Sequence, residues 1–84
     1  MKTLEQILKE TAKAKNDGEF GINACKDAIR DDIAFKKQYM QSYKGMSETE
    51  ILYILLFVYV GKVNESPFFN SNMVQACWQL INER

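Results

Sequence analysis

Few of the 84 residues could do chemistry, and those few are carboxylates, thiols and aromatic rings, because the chain contains no histidine. That removes the commonest general base and the commonest zinc ligand. The densest acidic set is Asp27, Asp31 and Asp32 in "CKDAIRDDIAFKK". On a helix, the four-residue step from Asp27 to Asp31 would stack two carboxylates on one face, which could share a divalent cation. One such pair offers too few oxygens, Glu10 and Glu19 could join it only through the tertiary fold, and Arg30 and Lys36 stand close by. Surface ion pairing, with Asp32 and Lys36 at i,i+4, is the expected role, and no metal is assigned.

The two cysteines, Cys25 and Cys77, fall at positions that read as core-facing, where a free thiol serves as a small apolar filler. No Gly-rich phosphate loop, paired-glycine fingerprint or nucleophile elbow occurs, and the four glycines fall at apparent turns or helix ends. The chain therefore reads as a non-enzyme, with no catalytic residue and no cofactor.

The aromatic residues are more informative. Phe68 and Phe69 lie in "NESPFFNSN", a loop where apolar rings are less expected than inside a helix. Tyr39 and Tyr43 flank the end of a helical segment, and Trp78 sits at the edge of an apolar stripe. Rings so placed are frequent anchors in protein interfaces, so these five are the candidate partner-binding residues. The competing reading is that Phe68 and Phe69 close the bottom of the core.

Positioning these residues requires helices. "TLEQ" makes a capping box of Thr3 and Gln6, and Leu4, Ile7, Leu8, Thr11 and Ala12 line one face of a helix over about 4–15, stopped by "NDG" at 16–18. Asn23 is a plausible N-cap for a second helix over about 23–43, with Ile22, Cys25, Ile29, Ile33, Met40 and Tyr43 as its stripe, Ala28, Phe35 and Tyr39 beside it, and Gly45 closing it. The fourth helix, over about 72–82, has Asn70, Ser71 and Asn72 as candidate caps, Asn72 with Gln75 being preferred, and turns Met73, Ala76, Cys77, Leu80 and Ile81 inward.

Between them lies a run of ten apolar residues, Ile51 to Val60. As a helix it would be about 15 Å long, half the hydrocarbon thickness, so it does not cross a membrane. Its β-branched and aromatic composition suits a strand, but Ser47 with Glu50 forms a second capping box and Gly61 with Lys62 supplies C-terminal signals. No other segment could pair with a strand. The run is read as a third helix over about 48–60, apolar on every side and hence surrounded by its neighbours, the alternative being that one face is left open for a partner. The fold class that follows is all-α: a compact four-helix bundle, one domain over 1–84, with a central, mostly apolar third helix.

Eleven basic residues balance eleven acidic ones, which leaves no net field to draw in nucleic acid or anionic lipid. The N-terminus carries no apolar stretch of secretory length, so the expected location is cytoplasmic. The function that fits best is a small non-enzymatic protein-binding module, such as an inhibitor, immunity or accessory factor. Its partner would be another protein or a second copy of itself. Lysine in excess of arginine and abundant Asn, Ile, Tyr and Phe suit an A/T-rich phage or bacterial source. Two other classes stand beside it. A DNA-binding regulator could use Gln75, Gln79, Asn82 and Arg84 of the fourth helix, although nucleic acid is not the expected partner. A membrane-surface or small-ligand protein would need an exposed apolar face on the third helix, or a cavity lined by residues such as Met40, Tyr53 and Phe57.

Overall fold

Both capping boxes form. The Thr3 side chain accepts from the Gln6 backbone N–H while Gln6 Oε1 accepts from the Thr3 N–H (2.8 Å), and Ser47 and Glu50 repeat the exchange. Each satisfies two backbone donors that a helix start leaves open. The computed structural model describes residues 1–83, and in it these caps open α1 (Leu4–Thr11) and α3 (Glu48–Glu65). The other elements are α2 (Ile22–Tyr39), a 3₁₀ turn at Gln41–Tyr43 and α4 (Asn72–Asn82). No strand occurs among the described residues, and the architecture is a small all-α bundle.

Several boundaries differ from the expected ones, each for a local reason. The first helix stops at Thr11, where the Ala14 N–H turns back to the Thr11 carbonyl. The second begins one residue before Asn23, because the N-cap is Gly21, and it ends at Tyr39 with Met40 extended. Gly45 therefore closes nothing, and the left-handed glycine is Gly18 (φ 94°) in the "NDG" turn. The third helix runs through Gly61 to Glu65. A mid-helix glycine costs about 1 kcal/mol against alanine, too little to end a well-capped helix. Pro67 ends it instead, by holding Ser66 extended (φ −131°, ψ 119°).

The core joins Ile7 of α1, Ile22, Cys25, Ile29 and Ile33 of α2, Ile51, Leu52, Leu55, Leu56 and Tyr59 of α3, and Val74, Ala76, Cys77, Leu80 and Ile81 of α4. The last helix touches all three others. It is tied to α3 by the Cys77 thiol, which donates to the Leu52 carbonyl (3.2 Å), and to α1 by Gln75, whose Oε1 lies 3.2 Å from the buried Thr11 hydroxyl. At its C-terminal end Glu83 pairs with Lys26 of α2 (2.7 Å).

One expectation about α3 fails. It supplies five core residues, but it is not encircled: Tyr53 is 44% exposed, Phe57 71%, and Val58 is exposed beside them. α3 packs mainly against α4 and less against α2, so the face turned away from them is left open. Phe35 and Tyr39 on α2 and Met40 just after it are likewise exposed, which takes Met40 out of the inward stripe. Met40, Tyr53 and Phe57 therefore line no internal cavity.

Candidate protein-interaction surface

The five aromatic residues singled out by sequence divide according to burial. Phe68 is 94% exposed. Its neighbour Phe69 turns inward, packs on the core and stacks on Tyr59 with ring centroids 5.8 Å apart. A two-residue alternation at a loop thus sends one ring to each side. Trp78 and Tyr43 are half-buried against the core, and Tyr43 carries the Lys36 ammonium 5.8 Å above its ring. Tyr39 is exposed and packs on Phe35 at 4.9 Å. The ring contacts among the described residues do not join any of the five to another.

Phe68 has a companion that the sequence did not single out. Phe20, in the loop between α1 and α2, is 68% exposed, and its carbonyl oxygen gathers the loops at this end of the bundle. It accepts from Asn70 Nδ2 (3.2 Å) and from Asn72 Nδ2 (3.0 Å), with the Cys25 thiol at 3.9 Å. Asn70 Oδ1 in turn accepts the Asn72 backbone N–H (3.1 Å), so the first turn of α4 is capped from within the loop. Asn72, expected as a cap, is used instead to hold the facing loop.

The Phe20 loop is equally constrained. Its Ile22 N–H reaches the Lys15 carbonyl and its Asn23 N–H the Asn16 carbonyl, both at 2.8 Å. Gly21 passes so close to residue 17 that a Cβ there would lie inside contact distance of the Asp17 carbonyl oxygen and 2.7 Å from its carbonyl carbon. Two exposed phenylalanines are therefore presented from loops that are bonded to each other and tightly folded. No core contact requires the Phe68 ring to be there.

The remaining chemistry is structural. Burial pushes the Cys77 thiol up to about 12, and it raises Cys25 as well. The Tyr59 phenol is raised by burial first, with the Asp32 carboxylate and the two thiols adding to the effect. These groups stay protonated at neutral pH. Asp27 pairs with Arg30 (3.3 Å), and Asp32 holds Lys36 through both oxygens (3.0 and 3.1 Å), as the i,i+4 spacing predicts. No group of three or more metal-ligating side chains gathers among the described residues.

Two depressions lie elsewhere. One of about 210 Å³ sits between α2, α3 and α4, with Ile33, Leu52 and Leu80 in its lining and the charged Arg30, Lys37 and Glu48 around them. A larger groove of about 530 Å³ runs between α3 and the N-terminal segment, lined by Met1, Lys2, Thr3, Phe57, Val60, Gly61, Asn64 and Glu65. Asn64 fixes its far wall: Oδ1 accepts from the Lys2 backbone N–H (2.6 Å) and Nδ2 donates to the Lys2 carbonyl (2.8 Å). On α4, Gln75 is engaged with Thr11 and Asn82 donates to the Trp78 carbonyl, while Arg84 lies outside the described residues.

The class these features define is a small helical bundle that exposes several aromatic rings, Phe20, Phe35, Tyr39, Tyr53, Phe57 and Phe68, on an otherwise charged surface. Comparison with protein-family models, with curated proteins and with solved structures finds no match. No helix among the described residues is long and apolar enough to cross a membrane.

Proposed function

We propose that this chain is a non-enzymatic protein-binding module, an inhibitor, immunity or accessory factor that works in the cytoplasm by occupying a partner protein's surface. The partner meets the end of the bundle where Phe20 and Phe68 project. One observation carries this reading: two largely exposed phenylalanines stand on loops locked together through the Phe20 carbonyl. Aromatic anchors dominate the energetics of many interfaces, and loops held in place beforehand lose little entropy on binding. Tyr39 with Phe35 and the half-buried Tyr43 and Trp78 offer secondary contacts. The two free buried thiols suit a reducing compartment.

The test is retention of a partner from source cells by the wild-type protein and by a Phe20→Ser, Phe68→Ser double variant. Both rings are exposed, so the variant should melt as the wild type does and lose the partner. A variant that keeps the partner overturns the reading. Flotation with neutral and anionic liposomes is the companion measurement: binding to vesicles that vanishes in the same variant would assign the rings to a lipid surface instead.

A further inference from the structure

The loop that presents Phe20 carries Asp17 followed by Gly18. In an Asp-Gly pair the backbone nitrogen after the aspartate can bond to the side-chain carboxyl carbon and close a five-membered succinimide ring, because glycine brings no Cβ to crowd the approach. Whether a given pair reacts depends on what holds its carboxyl and its amide.

Here neither is held. Asp17 and Gly18 are exposed, and the chain turns through the left-handed region at Gly18 (φ 94°). Among the described residues the Asp17 carboxylate has no hydrogen bond or ion pair, and the Gly18 N–H has no acceptor. Comparable groups elsewhere are engaged. Asp27, Asp31 and Asp32 lie within α2, where the next N–H is bonded along the helix. Asn70, which precedes Ser71, has both ends of its carboxamide in use, Nδ2 on the Phe20 carbonyl and Oδ1 on the Asn72 N–H.

We propose that Asp17 is a site of spontaneous isomerisation to isoaspartate, and that the change unfastens the Phe20 loop. The chemistry needs only water. The Gly18 nitrogen bonds to Asp17 Cγ, and a carboxyl oxygen leaves as water with the amide proton and one proton from solvent. Water then opens the ring and the solvent proton is returned. Attack at the original main-chain carbonyl breaks its bond to the Gly18 nitrogen. The chain now runs through Cβ and Cγ, longer by one methylene, and the former carbonyl is a free carboxylate.

The fold gives that methylene its effect. Hydrogen bonds from Ile22 to Lys15 and from Asn23 to Asn16 pin the loop on both sides, and Gly21 packs on the Asp17 carbonyl too closely to admit a Cβ. In the isomer a carboxylate stands where Gly21 packs, and the segment between the pins is too long for them. The Phe20 carbonyl then parts from Asn70 and Asn72. The same packing restrains the reaction, because ring closure turns the Asp17–Gly18 peptide and so proceeds from a transiently opened loop. Release of a partner docked on Phe20 rests on the proposed function, whereas the unfastening does not.

The test is incubation of the full chain for weeks at neutral pH in heavy-oxygen water, followed by electron-transfer fragmentation of the tryptic peptide Asn16–Lys26. The expected result is heavy oxygen and isoaspartate fragments at position 17, with Asp27 and Asn70 unreacted. Asp17→Glu, which would need a six-membered ring, should abolish both signals. Asn70→Ala should speed them by about two- to tenfold, the weight of one lost hydrogen bond. The isomer, separated by chromatography, should exchange its Ile22 and Asn23 amides at least about tenfold faster than unreacted protein. The proposal is overturned by an unreacted Asp17 over a time in which the free Asn16–Lys26 peptide converts, by an equal signal in Asp17→Glu, by a rate indifferent to Asn70→Ala, or by an isomer whose two amides stay protected. None of these readouts involves a partner, so an isomer with an open loop that still holds the partner would count against the proposed function alone.

Discussion

Gly21→Ala should be among the most damaging single-methyl additions available to this chain. The backbone at Gly21 (φ −77°, ψ 175°) suits any residue, so the penalty is steric. The added Cβ would meet the carbonyl oxygen and carbon of Asp17, which are main-chain atoms of a loop fixed at both ends by the Ile22–Lys15 and Asn23–Asn16 hydrogen bonds. Overpacking of this kind costs ~1–3 kcal/mol, and alanine is also the poorer N-cap by up to about 1 kcal/mol. Restriction of the unfolded chain returns only ~0.4–1 kcal/mol. A net loss of about 2–3 kcal/mol is large beside the ~4–13 kcal/mol expected for a chain of this length, and it should lower the urea midpoint by about 2 M at a slope near 1 kcal/mol/M. Gly61→Ala, where the Cβ enters open space, is the matched control. At low protein concentration its midpoint should rise by up to about 1 M. Equal midpoints for wild type and Gly21→Ala, or two shifts of the same sign, would refute the reasoning.

Other expectations follow from the same contacts. Leu56→Ala, which empties a fully buried site in α3, should cost ~2–5 kcal/mol, whereas Phe57→Ser one residue on should stay within ~0.5 kcal/mol; chemical denaturation of both variants reads the difference. Both cysteines have folded-state pKa values above their ordinary 9.0, so the unfolded chain ionises first as pH rises. The stability they contribute is complete below pH 9 and is lost between about pH 9 and 12, and denaturation midpoints should fall across that window, less steeply in Cys77→Ala at a matched starting stability. Asn70→Ala removes a donor to the Phe20 carbonyl and the acceptor for the Asn72 N–H, so amide exchange should quicken in both loops while the α3 core stays protected.

The elements were legible where a local signal decided them. Thr3–Gln6 and Ser47–Glu50 announce helix starts that depend only on residues three apart, and Asp32–Lys36 is fixed by helical spacing alone. Misjudged positions depended on what lay across the fold. Helix phase alone cannot say that α4 touches all three partners, or that the run from Ile51 to Val60 has neighbours on one side only, so Phe57 read as core. Gly61 looked like a stop because its cost is real, yet the helix continues to the proline. At the site, Phe68 was readable as a ring in a polar loop. Phe20 was not, because its importance comes from a main-chain carbonyl that meets Asn70 and Asn72 from fifty residues away. Asn70 and Asn72 carried a signal of another meaning, since the same side chains serve as caps.

The central claim is that the Phe20 and Phe68 end is where a partner protein docks. The most direct measurement is photo-crosslinking in source cells with a benzoyl-phenylalanine at position 68, against the same probe at exposed Gln38 on α2. The account predicts one discrete adduct from position 68, lost when Phe20→Ser is added, and none from position 38. No adduct from position 68, or the same adducts from both positions, would contradict it.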